Sequence, residues 1–444
     1  MNDKPLVTFD AKLPKLSDNE RKVLDLLLEA GRLIVPIYEE QENYKFPGAN
    51  FYPHGVLKSE IEKAAKENPE ILSPYTVVEK IDNKLVATPY HKKYAKLLKP
   101  VVEKLLVAAE VTSNKNFAEC LKVQAKALLD GSYDEATICW MSVKPYILDI
   151  NIGPVERYDD KLFFVKTAYQ AWVGVIDKKN SQKLNKYKDV ILSTRRKVAM
   201  ASEKFDYYGK VQTRIDNTLL FAGLIARTKF VGVNLPNDPK LMEKYGSEIT
   251  LFKEMHKLRF ETALWPTFNR IFSPEFKKQF SAIDLERGSL YLTALHELAH
   301  TYLRYRDSEK RLQDLFPVID ELAASVMGIK MCGSLLLKDI ASTQQLESIM
   351  LAFITRAYNF VLNEEDKPER GQYVIGGAVL LNFLLESGAI KRAGGVSWPN
   401  FMKMFVSFDE LMSILGRVLS RGKRSDAEAL IKKYGSFTNL RSFN

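Results

Sequence analysis

Apolar and polar positions divide this chain into stretches of different rhythm. From Ser17 to about Asp130 the spacing is mostly helical: in "SDNERKVLDLLLEAGRLIVPIYEEQ", Leu24, Leu27, Leu28 and Ile34 form an apolar stripe. Ser17 is placed as its N-cap, with Glu20 three residues on as the capping-box partner. At 136–176 β-branched and aromatic residues dominate and Gly153-Pro154 punctuates, which predicts strands. A second strand-like stretch follows at 218–233, "TLLFAGLIARTKFVGV". Between them "SQKLNKYKDVILSTRRKVAMASEKF" reads as helix, and from about 250 onward helices recur. Helix, strand, then helix predicts an α+β chain, predominantly helical, with a small sheet or barrel.

Composition narrows the function without naming it. At 444 residues the chain is long enough for two lobes, and 46% apolar with 27% charged residues is ordinary for a soluble globular protein. The net charge of +10 is spread among acidic residues; its densest runs, "DKKNSQKLNKYK" and "TRRK", read as solvated helical faces, so nucleic acid is not implied. Three cysteines, Cys120, Cys139 and Cys332, form no CxxC pair, which supports neither a disulfide framework nor a thiolate cage. No apolar run of about 18 residues and no signal-peptide core occur, so no membrane partner and a reducing, cytoplasmic setting are expected.

Chemistry concentrates in "LTALHELAHTYLRYRD", residues 292–307, which carries two of the five histidines four positions apart. On a helix His296 and His300 share one face with Glu297 beside them. Leu292, Leu295, Leu298, Ala299 and Tyr302 fall on the other side from Thr293 and Arg304. This is the spacing of the H-E-x-x-H zinc motif, two histidine ligands and a glutamate general base. A third ligand is needed, and "PVIDELAASVMGIKMC" offers Glu321 or its neighbour Asp320 on a helix beginning near Pro317; spacing separates them only weakly. Small residues there, Ala324, Ser325 and Gly328, leave one side open to the first helix. His54, His91 and His256 lack a partner at ligand spacing.

Around these residues the chain resembles the dipeptidyl peptidase III superfamily, in its shorter HExxH-bearing form. "INIGPVERYDDKLFFVKTAYQAWVGV" resembles the family's E-x-Y-x-D segment, "VNLPNDPKLMEKYGSEITLF" its N-x-P-N segment, and "DELAAS" its second zinc motif. Weaker matches, "FYPHGVLKSEIEK", "SPYTVVEK" and "GGAVLLNFLLESGAI", follow the family order. The resemblance implies one zinc ion held by His296, His300 and Glu321, with Glu297 as base and Tyr158 stabilising the transition state. Glu156, Asn234 and Asn237 would bind the N-terminal end of a short peptide. It also implies two lobes around a wide cleft: a helical zinc-bearing upper lobe and a lower lobe with a small β-barrel. Residues 1–176 and 218–250 would form the lower lobe, 177–217 and 251–444 the upper.

Some positions depart from the family pattern. "HTYLRYRD" replaces a glycine-rich stretch after the second histidine, and Ser325 stands where an acid is expected. No histidine follows His300; Tyr373 falls near the place of a late cleft histidine. Three readings follow: a zinc dipeptidyl peptidase, a zinc hydrolase of another substrate, and a zinc-bearing peptide-binding protein without turnover.

Overall fold

The computed structural model describes residues 4–143, 146–194, 211–300, 303, 305, 307–364, 371–394, 396–438 and 440. Two compact units share the chain. The first is Met1–Ser181, Arg214–Phe230 and Leu235–Met255; the second is Gln182–Thr213, Val231–Asn234 and His256–Asn444. No helix among the described residues is long and apolar enough to cross a membrane.

The first unit opens with helix Asp18–Arg32, capped as its sequence predicts: Ser17 Oγ accepts from Glu20 N (3.2 Å) and the Glu20 carboxylate accepts from Ser17 N (2.8 Å). Its buried stripe of Val23, Leu24 and Leu27 faces the unit's core, and Gly31 meets the sheet so closely that a Cβ would lie 2.5 Å from Leu220. Helices Ala95–Val111 and Lys115–Asp130 follow, the latter ended by Gly131 in the left-handed region at φ 84°.

The expected strand island is part helix. Residues Tyr133–Ser142 coil because Tyr133, Ala136 and Trp140 bury one helical face and Asp134 and Glu135 suit a first turn, outweighing the β-branched composition. Strands Leu148–Glu156 and Ala168–Ile176 then pair antiparallel, with Asn151 opposite Trp172. The second expected stretch begins earlier, as Val211–Gly223, and 224–228 is a short helix. Gly223, at φ 70°, turns the chain there; a Cβ would lie 2.3 Å from the Tyr169 carbonyl oxygen.

These strands form one six-stranded sheet that curls into a half-barrel. The order is Leu148–Glu156, Ala168–Ile176, Val211–Gly223, Ser247–Phe252 and Gly232–Leu235, with Leu6–Thr8 also pairing to Val211–Gly223. An unpredicted hairpin, Thr76–Ile81 with Lys84–Pro89, turns on Asp82 and Asn83, both at positive φ.

Buried charge ties this unit together. Asp149 accepts from Trp140 Nε1 (2.9 Å), Trp172 Nε1 (3.0 Å) and Arg214 Nη1 (2.8 Å), and Arg214 Nε donates to Glu248 (2.7 Å). Lys166, fully buried, donates to the Ile71 and Ser73 carbonyls and to Thr76 Oγ1, so all three ammonium protons find acceptors.

The second unit is helical. Ala282–His300 packs against Phe316–Leu337 and Thr343–Asn363, with Gly371–Glu386, Phe401–Arg421 and Arg424–Tyr434 around them. Two glycines set the spacing. A Cβ on Gly288 would lie 2.4 Å from the Ser348 carbonyl oxygen, and one on Gly328 would lie 3.0 Å from the Leu295 carbonyl carbon. His256 is a core residue, its Nε2 3.1 Å from Ser289 Oγ.

Two measurements follow. Gly288→Ala must push backbone against backbone and is expected to lose about 1–3 kcal/mol in chemical unfolding, whereas Gly371→Ala, with nothing within 4 Å of its Cβ, is expected to keep the wild-type midpoint. Burial holds the His256 imidazole below its ordinary 6.5, at about 4. The folded state therefore binds fewer protons there than the unfolded chain between those values. That contribution, about 3 kcal/mol, is complete above pH 6.5 and lost as pH falls toward 4. His256→Gln is expected to flatten the fall in urea midpoint across that window.

Candidate metal centre

Helices Ala282–His300 and Phe316–Leu337 bring three of the expected ligands together. One donor atom each from His296, His300 and Glu321 lies within 4.8 Å of the others. The histidines are one turn apart on the first helix, and Glu321 stands in the first turns of the second, which starts at Phe316 with Pro317 in its opening turn. The face carrying the histidines, expected to be polar, is largely enclosed: Thr293 and His296 are both buried. Tyr302 and Arg304 lie outside the described residues.

Outer partners decide which nitrogens face inward. His300 Nδ1 lies 3.1 Å from Asp320 Oδ2, and a carboxylate can only accept, so Nδ1 carries a proton; with an ion in place of the proton on Nε2, the neutral ring would present its Nε2 lone pair. His296 Nδ1 lies 2.9 Å from Ser325 Oγ, and the same tautomer turns its Nε2 inward. The two Nε2 atoms are 3.2 Å apart; Glu321 Oε2 is 3.0 Å from one and 3.8 Å from the other. In this tautomer neither nitrogen has a hydrogen to give, and Glu321 Oε2 is a buried carboxylate oxygen without a hydrogen-bond partner.

Three lone-pair donors facing one point repel one another unless a cation lies between them. Their separations fit the edge of about 3.3 Å that donors 2.0–2.1 Å from a shared tetrahedral ion would have. The local field has the same sign. Burial works against a charged His300, yet Asp320, Glu321 and Glu297 outweigh it and raise its pKa to about 9. Burial would likewise raise the Glu321 carboxyl, but His296, His300 and Arg356 hold it at about 2. Donor set and field both suit a divalent ion, and two imidazoles with one carboxylate are a catalytic zinc set.

Asp320, the rival ligand, is placed behind His300 instead of in the donor set. Glu297 is partly buried beside the group and contributes no donor to it. The remaining expected residues lie elsewhere. In the first unit, Asn237 Nδ2 donates to Glu156 Oε2 (2.8 Å), so those two meet, while Tyr158 is 57% exposed with its ring 5.0 Å from Phe230. Asn234 belongs to the second unit, its Oδ1 buried without a hydrogen-bond partner. Tyr373 lines a small cavity with Glu321 and Arg356, its ring stacked on Phe360 at 5.2 Å. Arg356 was not legible beforehand; its helix carries no motif and only the packing brings it near.

Removing an outer partner should be felt at the ion. Asp320→Asn is expected to weaken zinc binding about 10–100-fold in chelator competition, and Glu321→Ala to abolish stoichiometric binding.

Comparison with known proteins adds the family. Residues 54–246 match the model of Peptidase family M49. A protein of Arabidopsis thaliana, Nudix hydrolase 3, is 24% identical over 434 residues, covering 89% of this chain and 55% of that protein. Dipeptidyl peptidase 3 of Nematostella vectensis is 27% identical over 157 residues, 34% of this chain and 21% of that one. The chain thus spans about half of the first curated relative and a fifth of the second. Among solved structures, dipeptidyl peptidase III from Caldithrix abyssi has a TM-score of 0.88 at 23% identity, covering 98% of this chain and 94% of its own. The enzyme from Corallococcus sp. strain EGB has a TM-score of 0.77 at 22% identity, covering 97% and 91%. Those likenesses establish the fold, and within it residues 54–246 are similar to Peptidase family M49.

Proposed function

We propose that the protein is a zinc metallopeptidase that releases dipeptides from the N-terminus of short peptides. The observation that carries this reading is the convergence of His296, His300 and Glu321, backed by Ser325 and Asp320, with Glu297 adjacent. A structural zinc site closes its fourth position with a protein ligand; a three-ligand set beside a free carboxylate is the arrangement that catalysis uses. The family match supports peptides as the substrate class.

When bound, the ion supplies Lewis-acid activation of water and of the scissile carbonyl. Glu297 takes the proton of the attacking water and passes it to the departing amine. Tyr158, assigned by the family resemblance, donates its phenol proton in a hydrogen bond to the oxyanion. Glu156, hydrogen-bonded to Asn237, offers an anionic partner for the substrate's α-ammonium, and Asn234 adds an amide oxygen. Anchoring that end sets the cut two residues in and makes the activity an exopeptidase. A cytoplasmic location belongs to the same proposal.

A second reading, a zinc-bearing peptide binder without turnover, draws on Tyr373, which lines the cavity beside Glu321 and falls in sequence near the place of the family's late histidine. Incubating the zinc-loaded protein with a hexapeptide and its N-acetylated twin separates the two. Dipeptide from the free peptide alone is the expected result. Cleavage of both would mean a hydrolase without the N-terminal clamp, and binding without product would favour the second reading. Glu297→Gln is expected to lower kcat/KM about 10²–10⁴-fold while zinc stays bound.

A further inference from the structure

The two histidines of the centre are backed unequally. Behind His300 is a carboxylate, Asp320 (3.1 Å); behind His296 is a hydroxyl, Ser325 Oγ (2.9 Å). That hydroxyl is also held by Arg356 Nη2 at 3.1 Å, from helix Thr343–Asn363. A guanidinium only donates, so one Ser325 lone pair is committed to it and the other receives the His296 Nδ1 proton. A carboxylate behind an imidazole raises its basicity as a ligand. A neutral hydroxyl that is already polarised by a cation accepts more weakly.

Arg356 also brings charge. Among the described residues no carboxylate makes an ion pair with it; besides the Tyr373 phenol, the acidic groups that act on it are Glu321 and Glu297, both at the centre. Arg356 and Glu321 share a cavity of about 30 Å³ whose other walls include Phe353, Phe360 and Gly376. Such a space holds about one water, so little solvent screens the guanidinium.

Taking His296, His300 and Glu321 as the metal ligands, we infer that Arg356 is a positioning residue that loosens the centre's grip on its ion. It fixes the Ser325 hydroxyl behind His296 and sets a positive charge beside the donors. The protein accordingly holds zinc less tightly than a site with carboxylates behind both histidines, and leaves the ion more electron-poor.

Zinc affinity of the full chain, read by chelator competition, tests this without recourse to activity. Arg356→Met is expected to bind zinc about tenfold tighter, and Ser325→Asp, which puts a carboxylate behind His296, about tenfold tighter or more. Arg356→Lys, which keeps the charge, is expected to stay near wild type. Circular dichroism checks that each variant folds, and Ser325→Asp keeps the inference exposed if Arg356→Met does not. Equal affinities across the folded variants, or weaker binding by Arg356→Met, would overturn the role given to Arg356 while leaving the centre standing. Failure of the wild type to bind one zinc would overturn the centre itself, and the inference with it.

Discussion

The close approach of two helices at Leu295 and Gly328 is the constraint on which the second unit's chemistry depends. Leu295 immediately precedes His296, and Gly328 lies one turn beyond Ser325. Wherever those two backbones touch, the histidines and the DELAAS stretch are therefore brought side by side. Gly288 does the same for the third helix, drawing Ser348 against the first. Two turns further along that helix comes Arg356. Neither glycine supplies a donor, yet a helix displaced outward by one methyl group would carry Glu321 away from the imidazoles.

In the first unit order is imposed differently, by buried polar groups with fixed partners. Asp149 gathers two indoles and a guanidinium, and Lys166 gathers three oxygens from the chain around residues 71–76. Removing either would strand several groups away from water, which costs far more than the pair contributes when intact. The half-barrel thus has a definite register even where its strands read ambiguously.

What could be read from the sequence follows the range of each interaction. The Ser17 capping box and the His296–His300 spacing are complete within one helical turn, and both were legible. Residues 136–142 and 224–228 read as strand but are helical, because β-branched and aromatic side chains serve a buried helix as well as a sheet. The hairpin at 76–89 carries only a short signal, the Asp82-Asn83 pair between two runs without clear alternation. Asp320, Ser325 and Arg356 took their places only through contacts between helices. Spacing could offer Asp320 as a ligand but could not show that its carboxylate turns to the far side of His300.

The donor set spans two chain segments, so an ion held there would be more than a reactant. It would fasten residue 300 to residue 321 across their connection, and only in the folded arrangement. By mass action, an ion at 100 times its dissociation constant adds about 2.7 kcal/mol to whatever unfolds with the site. The helical unit would then draw on the free metal concentration for its persistence, while the half-barrel, which contributes no donor, would not. In a metal-poor medium the same chain would hold two units of unequal durability.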